Sequence, residues 1–429
     1  MPEKVDHLYE YLADEEDARV CTEISESACH VVPGNFFLIL IAQFFTKLGD
    51  ALTSTKVVLP WLMNSVGAPV FLSGLLVPVR ESGSLIPQLV VGGVIRRFAI
   101  RKPFFVTGCI LQGTSVAGMG WAALVLSGIT AGLVIIGLLI VFSLARGICS
   151  VASKDVLGKT IPKQRRGRLT GYSASAAGLI SIGVGVVLML DINLQQSSYL
   201  LLFAGTGCWL LAALHYALIK EYAGATEGGG NALQQGVNRL KLLKTDIPFR
   251  RFVLVRCLLM SSGLSAPYFI MLAQTLGKDS SLLNLGIFIA IGGFASFISG
   301  GMWGKLADRS SRKVLLLTAA MTAILCLAGG LTSYLQPTGS LWILMLLFLL
   351  ISVTHQGVRL GRKTYLVDLA KGNKRTDYVA VSNSLIGIML LFVGAMGAVM
   401  AHFSLALAFI VFALTSGLAL LIGRYLPEA

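Results

Sequence analysis

Long apolar segments, separated by short polar connections, recur along this chain from about residue 35 to its last few residues. A helix of about 20 apolar residues is long enough to cross a hydrocarbon core about 30 Å thick. We count twelve segments of this kind, and each predicts a transmembrane helix. The predicted spans are residues 35–64, 69–95, 103–127, 131–158, 168–190, 197–220, 250–276, 281–304, 313–335, 340–366, 378–402 and 404–423.

The composition agrees with an all-α membrane protein. Hydrophobic residues make up 55% of the chain and charged residues only 13%, which excludes an ordinary soluble globular protein. The net charge of +14 would indicate nucleic acid as a partner of a soluble protein. Here the basic residues lie in short loops beside the spans, so we expect them to contact anionic lipid headgroups and predict no nucleic-acid binding.

The loops alternate between basic and uncharged, and this alternation predicts the orientation in the membrane. Every second connection is rich in Lys and Arg, and only Lys278 breaks the pattern. Because basic loops stay on the cytoplasmic side, both termini are predicted to be cytoplasmic, in a bacterial inner (plasma) membrane. The basic loops are residues 96–102, 159–168, 239–251, 305–313 and 362–375.

The chain divides into two similar halves. Residues 1–34 carry nine acidic and two basic residues and predict a cytoplasmic segment, which is followed by a six-helix bundle over 35–220. Residues 221–249 predict a cytoplasmic linker rich in glycine, and 250–429 a second six-helix bundle. Gly93 and Arg101 after span two match Gly304 and Arg312 after span eight at an offset of 211. Repeated six-span halves are typical of transporters whose bundles rock around a central site.

The loop after span eight carries a family resemblance. From Gly304 to Lys313 it reads G-K-L-A-D-R-S-S-R-K, which resembles the G-x-L-a-D-R-x-G-R-K motif of the major facilitator superfamily, with Ser311 in place of the second glycine. The equivalent loop after span two has Arg97 where the motif has its acid. The resemblance implies two pseudo-symmetric six-helix bundles and transport by alternating access.

The same loop predicts a cytoplasmic gate. Charges at the ends of neighbouring helices can form a clamp that breaks when the cytoplasmic side opens, although these residues could instead only orient the loop. The predicted gate residues are Gly304, Asp308, Arg309, Arg312 and Lys313.

Charged residues also occur in the middle of the early spans. Lys47, Asp50 and Lys56 lie in span one, and Arg80 and Glu81 in span two. A charge at the centre of a bilayer costs at least about 2.5 to 3.5 kcal/mol, so such residues pair with one another or face a watery cavity. The superfamily resemblance implies that spans one, four, seven and ten line this cavity.

Helix geometry predicts how these charges pair. Lys47 and Asp50 are three residues apart and share a helix face, so they could neutralise each other. Arg80 and Glu81 are adjacent and diverge by about 100°, which predicts partners elsewhere. The candidates are Asp50 for Arg80, and Lys47, Lys56 or Arg146 for Glu81.

The deepest positions hold four basic groups and two acids, and this excess predicts an anionic substrate such as a carboxylate or phosphate ester. The alternative is that internal salt bridges and snorkelling ends account for all of these charges. In span ten we interpret His355 as a hydrogen-bonded packing residue, with a proton relay as the alternative, and Arg362 and Lys363 as the positive end of the helix. We interpret Arg256 in span seven as snorkelling. The predicted substrate-binding residues are Lys47, Lys56, Arg80, Arg146, Gln356 and Arg359.

Asp50 and Glu81 are the acids placed to carry protons in the first half. A carboxyl group in a partly dry cavity favours its protonated form unless a cation holds it ionised. Release of that cation when substrate binds would therefore couple transport to protons, with Arg146 as the charge partner.

Other chemistry is missing from the sequence. There is no phosphate-binding G-x-x-x-x-G-K-[ST] loop, no G-x-S-x-G motif and no zinc-ligand spacing, so we predict neither an enzyme nor a metal or cofactor site. The sequence predicts a monomeric secondary active transporter of a small organic anion, coupled to protons. Two alternatives stay open: a multidrug-type efflux pump with an aromatic, less charged cavity, and a non-transporting relative that assembles or escorts another membrane protein.

Overall fold

The computed structural model describes residues 31–95, 97–190, 198–224, 226, 241–276, 282–337, 339–369 and 374–428. These residues form helices and their connections, and no strand occurs among them. The all-α prediction is confirmed. Most of the acidic segment 1–34 and about half of the linker 221–249 lie outside the described residues, so their predicted roles stay predictions.

The helices before the linker begin at residue 32. They are α1 Val32–Leu52, α2 Val58–Ser65, α3 Val70–Leu85, α4 Gln88–Ile95, α5 Lys102–Val125, α6 Gly128–Thr160, α7 Lys163–Leu190 and α8 Ser198–Ala217.

The helices after the linker end at residue 423. They are α9 Leu242–Thr245, α10 Ile247–Leu258, α11 Ser261–Leu264, α12 Ala266–Leu276, α13 Leu282–Arg309, α14 Ser311–Leu335, α15 Ser340–Leu369, α16 Lys374–Phe403 and α17 Leu405–Gly423.

Within the described residues, nine helical segments are long and apolar enough to cross a membrane. Shorter apolar stretches, Gly178–Met189 and Asn284–Ser299, lie within α7 and α13. The predicted second span is divided between α3 and α4 at Pro87. The protein is therefore a membrane protein with many spans, while the count of twelve and the exact division into two bundles stay predictions.

Span one is broken in its middle, whereas the sequence predicted one continuous helix over 35–64. Helix α1 ends at Leu52, where the Thr53 hydroxyl donates to the carbonyl oxygen of Gly49 at 2.7 Å, and α2 begins five residues beyond Thr53 at Val58. Pro60 explains the break, because its ring clashes with the carbonyl four residues earlier, that of Lys56. Breaks of this kind near the membrane centre often form the binding site of a transporter.

Span seven is broken at the equivalent place. Helices α10, α11 and α12 succeed one another with interruptions at residues 259–260 and at Ser265. Pro267 stands near the start of α12, 207 residues after Pro60, and plays the same part there. The two halves therefore repeat this irregularity as well as their loops.

Close helix pairs join the two halves. Helix α3 packs against α16, and α7 packs against α13. The backbones of α7 and α13 approach so closely at Gly185 and Gly286 that an added Cβ on either residue would lie 2.7 Å from the backbone of the other helix. Small residues permit such contacts between membrane helices.

The contacts of α7 with α13 and of α2 with α12 close one end of the molecule. We call the end that carries the basic loops the basic end, and the opposite one the far end. Gly185, Gly286 and the packing of α2 on α12 lie toward the far end. A central cavity lies between this closure and the basic end, and Lys363 lines it on the last turns of α15.

Candidate functional site

The central cavity consists of two adjoining chambers. The first chamber has a volume of about 700 Å³ and is lined mainly by α1, α7, α13 and α15. The second has a volume of about 410 Å³ and is lined by α3, α10, α11 and α15. Both volumes lie in the range of small-molecule sites. The residues that line both chambers, which we call the shared wall, are Asp50, Ser54, Lys56, Arg146, His355 and Arg359.

Asp50 lies in the shared wall and is bonded by two arginines from two other helices. Arg80 Nη2 donates to Asp50 Oδ1 at 2.6 Å, and Arg146 Nη2 donates to Asp50 Oδ2 at 2.6 Å. The guanidinium of Arg80 lies over the ring of Phe142, 5.7 Å from its centroid, and that of Arg146 over Trp209 at 5.4 Å. Cation–π contacts of this kind add to the ion pairs and fix both guanidinium planes.

The predicted pair between Arg80 and Asp50 is present. The predicted neutralisation of Asp50 by Lys47 is replaced by the two arginines, which occupy both carboxylate oxygens. Planar guanidinium groups bind a carboxylate in preferred directions, which favours arginine over lysine here.

Glu81 has a partner that the sequence argument excluded. Its Oε1 lies 3.7 Å from Nη1 of the adjacent Arg80, because two long side chains can bend toward each other although their Cβ atoms diverge. Among the described residues it forms no ion pair with Lys47, Lys56 or Arg146, which were the predicted partners. The Glu81 side chain is 43% exposed and faces the second chamber.

The cavity contains far more positive than negative charge. Of the cavity-lining side chains within the described residues, eight are basic and two are acidic. Asp50 and Glu81 both pair with arginines of span two or span four, so they do not compensate the charge of the other basic residues directly. The basic residues that line the cavity and form no ion pair within the described part of the chain are Lys47, Lys56, Arg256, Arg359, Arg362 and Lys363.

Polar residues of span ten complete the first chamber. Gln356 Nε2 donates to the hydroxyl of Ser296 on α13 at 3.0 Å, which orients the amide along the chamber wall. His355 Nδ1 lies 3.0 Å from the hydroxyl of Ser262, so its ring is hydrogen-bonded across to α11, as expected of a packing histidine. Arg359 is exposed to both chambers.

Arg256 and Arg362 were interpreted as membrane-edge residues, and the structure places both in the second chamber instead. Arg256 donates from Nη1 to Ser382 Oγ at 2.6 Å and from Nη2 to Asn383 Oδ1 at 3.0 Å, both on α16. The break in span seven permits this position. Helical spacing could have indicated that Arg362 faces the cavity, because Arg362 lies three residues after Arg359 on one face of α15.

The sequence profile of the Major Facilitator Superfamily matches residues 39–330 and 257–429 of the chain. The chain belongs to the major facilitator superfamily. It is a membrane transporter and not an enzyme, and family membership assigns it to secondary transport. No curated protein matches the sequence.

Solved structures of superfamily members share the fold. The xylose transporter XylE from E. coli, in an inward-open conformation, is similar with a TM-score of 0.66 and 16% identity, over 92% of this chain and 97% of that one. The nucleoside transporter NupG is similar with a TM-score of 0.68 and 10% identity, over 91% of this chain and 98% of that one. A bacterial homologue of the iron transporter ferroportin, in an inward-facing state, has a TM-score of 0.62 and 17% identity, over 91% of this chain and 98% of that one. At these identities the likeness extends to the fold alone.

The superfamily loop motif of the second half packs against the C-terminal residues. Arg312 Nη2 donates to the carbonyl oxygen of Arg424 at 2.7 Å, and its Nη1 lies 3.6 Å from Glu428 Oε1. Ser310 caps α14 by accepting from the backbone N–H of Lys313. Gly304 and Arg309 lie in the last turns of α13, and the side chain of Asp308 lies outside the described residues.

The first-half loop, which has Arg97 in place of the acid, uses an acid from elsewhere. Glu221, just after α8, accepts from the backbone N–H groups of Arg101 and Lys102 and from Lys159 Nζ at 3.0 Å. Its side chain is fully buried. Arg101 Nη1 also pairs with Asp155 of α6 at 3.0 Å. Glu221 and Glu428 each lie just after the last helix of their half, and each contacts the motif loop of that half.

Proposed function

We propose that the protein is a proton-coupled secondary transporter of a small organic anion, which works by alternating access. The observation that carries this proposal is the set of basic side chains that converge on the cavity without a carboxylate of their own. Lys56 and Arg359 in the shared wall and Arg362 in the second chamber are the central members of this set.

Energetics favour an anionic ligand in such a place. A charge in a poorly hydrated interior is destabilising by several kcal/mol unless a counter-charge and hydrogen bonds compensate it. A carboxylate or phosphate ester would supply both, and guanidinium groups bind either kind of oxyanion with two parallel hydrogen bonds. The candidate ligands in the first chamber are Lys47, Lys56, Arg146, Gln356 and Arg359, with Arg80 reached through the shared wall.

The bonds of Asp50 provide a route to proton coupling. An incoming anion would compete with Asp50 for Arg80 and Arg146, the two groups that hold its carboxylate. A carboxyl group that loses its cations inside a protein binds a proton more readily. Glu81, which keeps only a 3.7 Å contact with Arg80, is the second candidate proton carrier.

Alternating access is supported by the closure at the far end and by the cavity that extends from it toward the basic end. We propose that the basic end faces the cytoplasm of a bacterial inner membrane, with both termini on that side and with the basic loops against lipid headgroups. In the same proposal Gly304, Asp308, Arg309, Arg312 and Lys313 belong to the cytoplasmic gate, and the protein acts as a monomer.

A ligand screen tests whether the cavity binds anions, cations or neutral solutes. Purified protein is heated with anionic, cationic and neutral solutes at constant ionic strength, and its melting temperature is recorded. We expect anions to stabilise the wild type and to lose this effect in Arg359→Gln and Arg146→Gln. Arg250→Gln is the matched control, because Arg250 is exposed and lies outside the cavity.

Two results would contradict the proposal. Stabilisation by amphipathic cations but not by anions would favour the efflux pump. Stabilisation by no solute, together with capture of a second membrane protein, would favour the escort alternative.

Proton coupling has its own test in liposomes. Uptake of the stabilising anion is measured with and without an imposed pH gradient in Asp50→Asn and Glu81→Gln proteins. Loss of the gradient response in one of them is expected. If the double variant still responds to the gradient as the wild type does, these carboxylates are not the coupling groups.

A further inference from the structure

The second chamber is basic in its own right. Arg80 enters it from α3, Arg256 from α10, and Arg362 from α15, and none of these three lines the first chamber. They belong to three helices that are distant in sequence, so their convergence is a property of the fold and not of one charged loop. Glu81 is the one acid among the described residues that lines this chamber alone.

The two acids that line the second chamber, Asp50 and Glu81, leave most of its positive charge uncompensated. Glu81 and one oxygen of Asp50 are both directed at Arg80. Arg256 is held by neutral oxygens of Ser382 and Asn383, and its Nε is buried without a partner. A guanidinium with a buried, unbonded N–H is destabilising, and an oxyanion in the chamber would compensate the charge of Arg256.

The first chamber has separate basic residues of its own. Lys47 and Lys363 line it and do not line the second chamber, and Gln356 also lines the first chamber alone. The cavity therefore has two positive regions. The shared wall joins these regions, and Asp50, held by Arg80 and Arg146, is the one acid among its described residues, beside Lys56, Arg146 and Arg359.

We propose that the transported solute carries an anionic group at each end and binds with one end in each chamber. This inference rests on the proposed function and specifies its substrate as an elongated dianion, such as a dicarboxylate or a phosphorylated carboxylate. Once one end is bound, the second end is held close to its site at a high effective concentration, so the two regions act together.

Matched ligand pairs test this directly. Binding to the purified protein is measured by calorimetry for dicarboxylates of increasing chain length, for monocarboxylates of the same lengths, and for a phosphorylated carboxylate. We expect at least one dianion to bind about tenfold or more tightly than its monoanionic match. In Arg256→Gln this advantage is lost, while the affinity for the monoanion stays within about twofold of the wild type. Arg250→Gln, on the same helix as Arg256, keeps the advantage.

The controls distinguish misfolding from a lost subsite. The melting temperature of each variant without ligand reports its folding, and the retained affinity for the monoanion reports an intact first chamber. Equal affinity for dianions and monoanions in the wild type overturns the dianion inference and leaves the anion transporter standing. Absence of binding by every anion overturns both proposals. Loss of monoanion binding in Arg256→Gln as well would show one undivided site and also overturns the inference.

Discussion

The contact between α7 and α13 makes a sharp prediction about alternating access. Substitution of Gly185 by alanine adds a single Cβ, which would lie 2.7 Å from the carbonyl oxygen of Gly286 and 2.7 Å from the backbone N of Ala290. Real Cβ atoms essentially never approach other heavy atoms to within 3.0 Å, and backbone atoms of a packed helix cannot rotate away. The two helices must therefore separate at the far end when this substitution is made.

The size of the effect follows from the overpacking. Adding a methyl group to a tightly packed contact destabilises it by about 1–3 kcal/mol. This destabilisation acts on the arrangement with a closed far end and not on one in which α7 and α13 are apart. A bias of 1–3 kcal/mol corresponds to a change of roughly 5- to 150-fold in the ratio of the two arrangements. Gly183→Ala is the matched control, since a Cβ at Gly183 meets nothing within 4 Å.

Spin labels measure this opening. Cysteines introduced at Val187 on α7 and Ile287 on α13 lie near the contact, and pulsed electron resonance gives the distance distribution between their labels. Gly185→Ala is expected to enlarge the long-distance population, whereas Gly183→Ala gains the same helix propensity, about 1 kcal/mol, without shifting the distribution. An unchanged distribution in Gly185→Ala, or an equal shift in both variants, would refute the reasoning.

Three further predictions concern stability. Asp50→Asn leaves Arg146 without a carboxylate and Arg80 with only its 3.7 Å contact to Glu81, and it is expected to lower the free energy of unfolding by about 3 kcal/mol in a detergent titration, as for a broken buried ion pair; an unchanged free energy of unfolding would mean that the arginines find other partners. Glu221→Gln weakens three hydrogen bonds, including that from Lys159, and a loss of about 1.5–3 kcal/mol is expected in the same titration; an unchanged midpoint would contradict its role in holding the loop. Tyr378→Phe removes the bond from the Tyr378 hydroxyl to Asp246, for an expected loss of about 1 kcal/mol; a stabilised variant would argue against that bond.

Hydropathy was enough to predict the class of fold. Apolar length, loop charge and the motif from Gly304 to Lys313 each indicated a superfamily transporter, because these signals are local in sequence. The break at Lys56 was missed although Pro60 marks it, since averaging hydropathy over a whole span hides a single proline.

The site was predicted in part, and the limit was partner choice. The pair of Arg80 with Asp50 followed from charge alone. Arg146 was expected as the charge partner of a coupling carboxylate, but nothing in the spacing ranks Asp50 above Glu81 as its partner, or Arg146 above Lys47 as a partner of Asp50. Arg256 was interpreted as a membrane-edge residue from its place near the end of span seven. Whether its side chain reaches the cavity depends on how span seven is broken, and the sequence does not show that break. Long-range packing of this kind has no signature in one sequence.

The central claim is that the cavity transports an organic anion, and uptake into liposomes tests it most directly. Purified wild-type protein and Arg359→Gln are reconstituted side by side, and the uptake of radiolabelled organic anions, neutral sugars and amphipathic cations is measured under an imposed pH gradient. We predict saturable uptake of an anion by the wild type, lost in Arg359→Gln and kept in Arg250→Gln. Uptake of neutral or cationic solutes by the wild type, unaffected by Arg359→Gln and without uptake of any anion, would contradict the account.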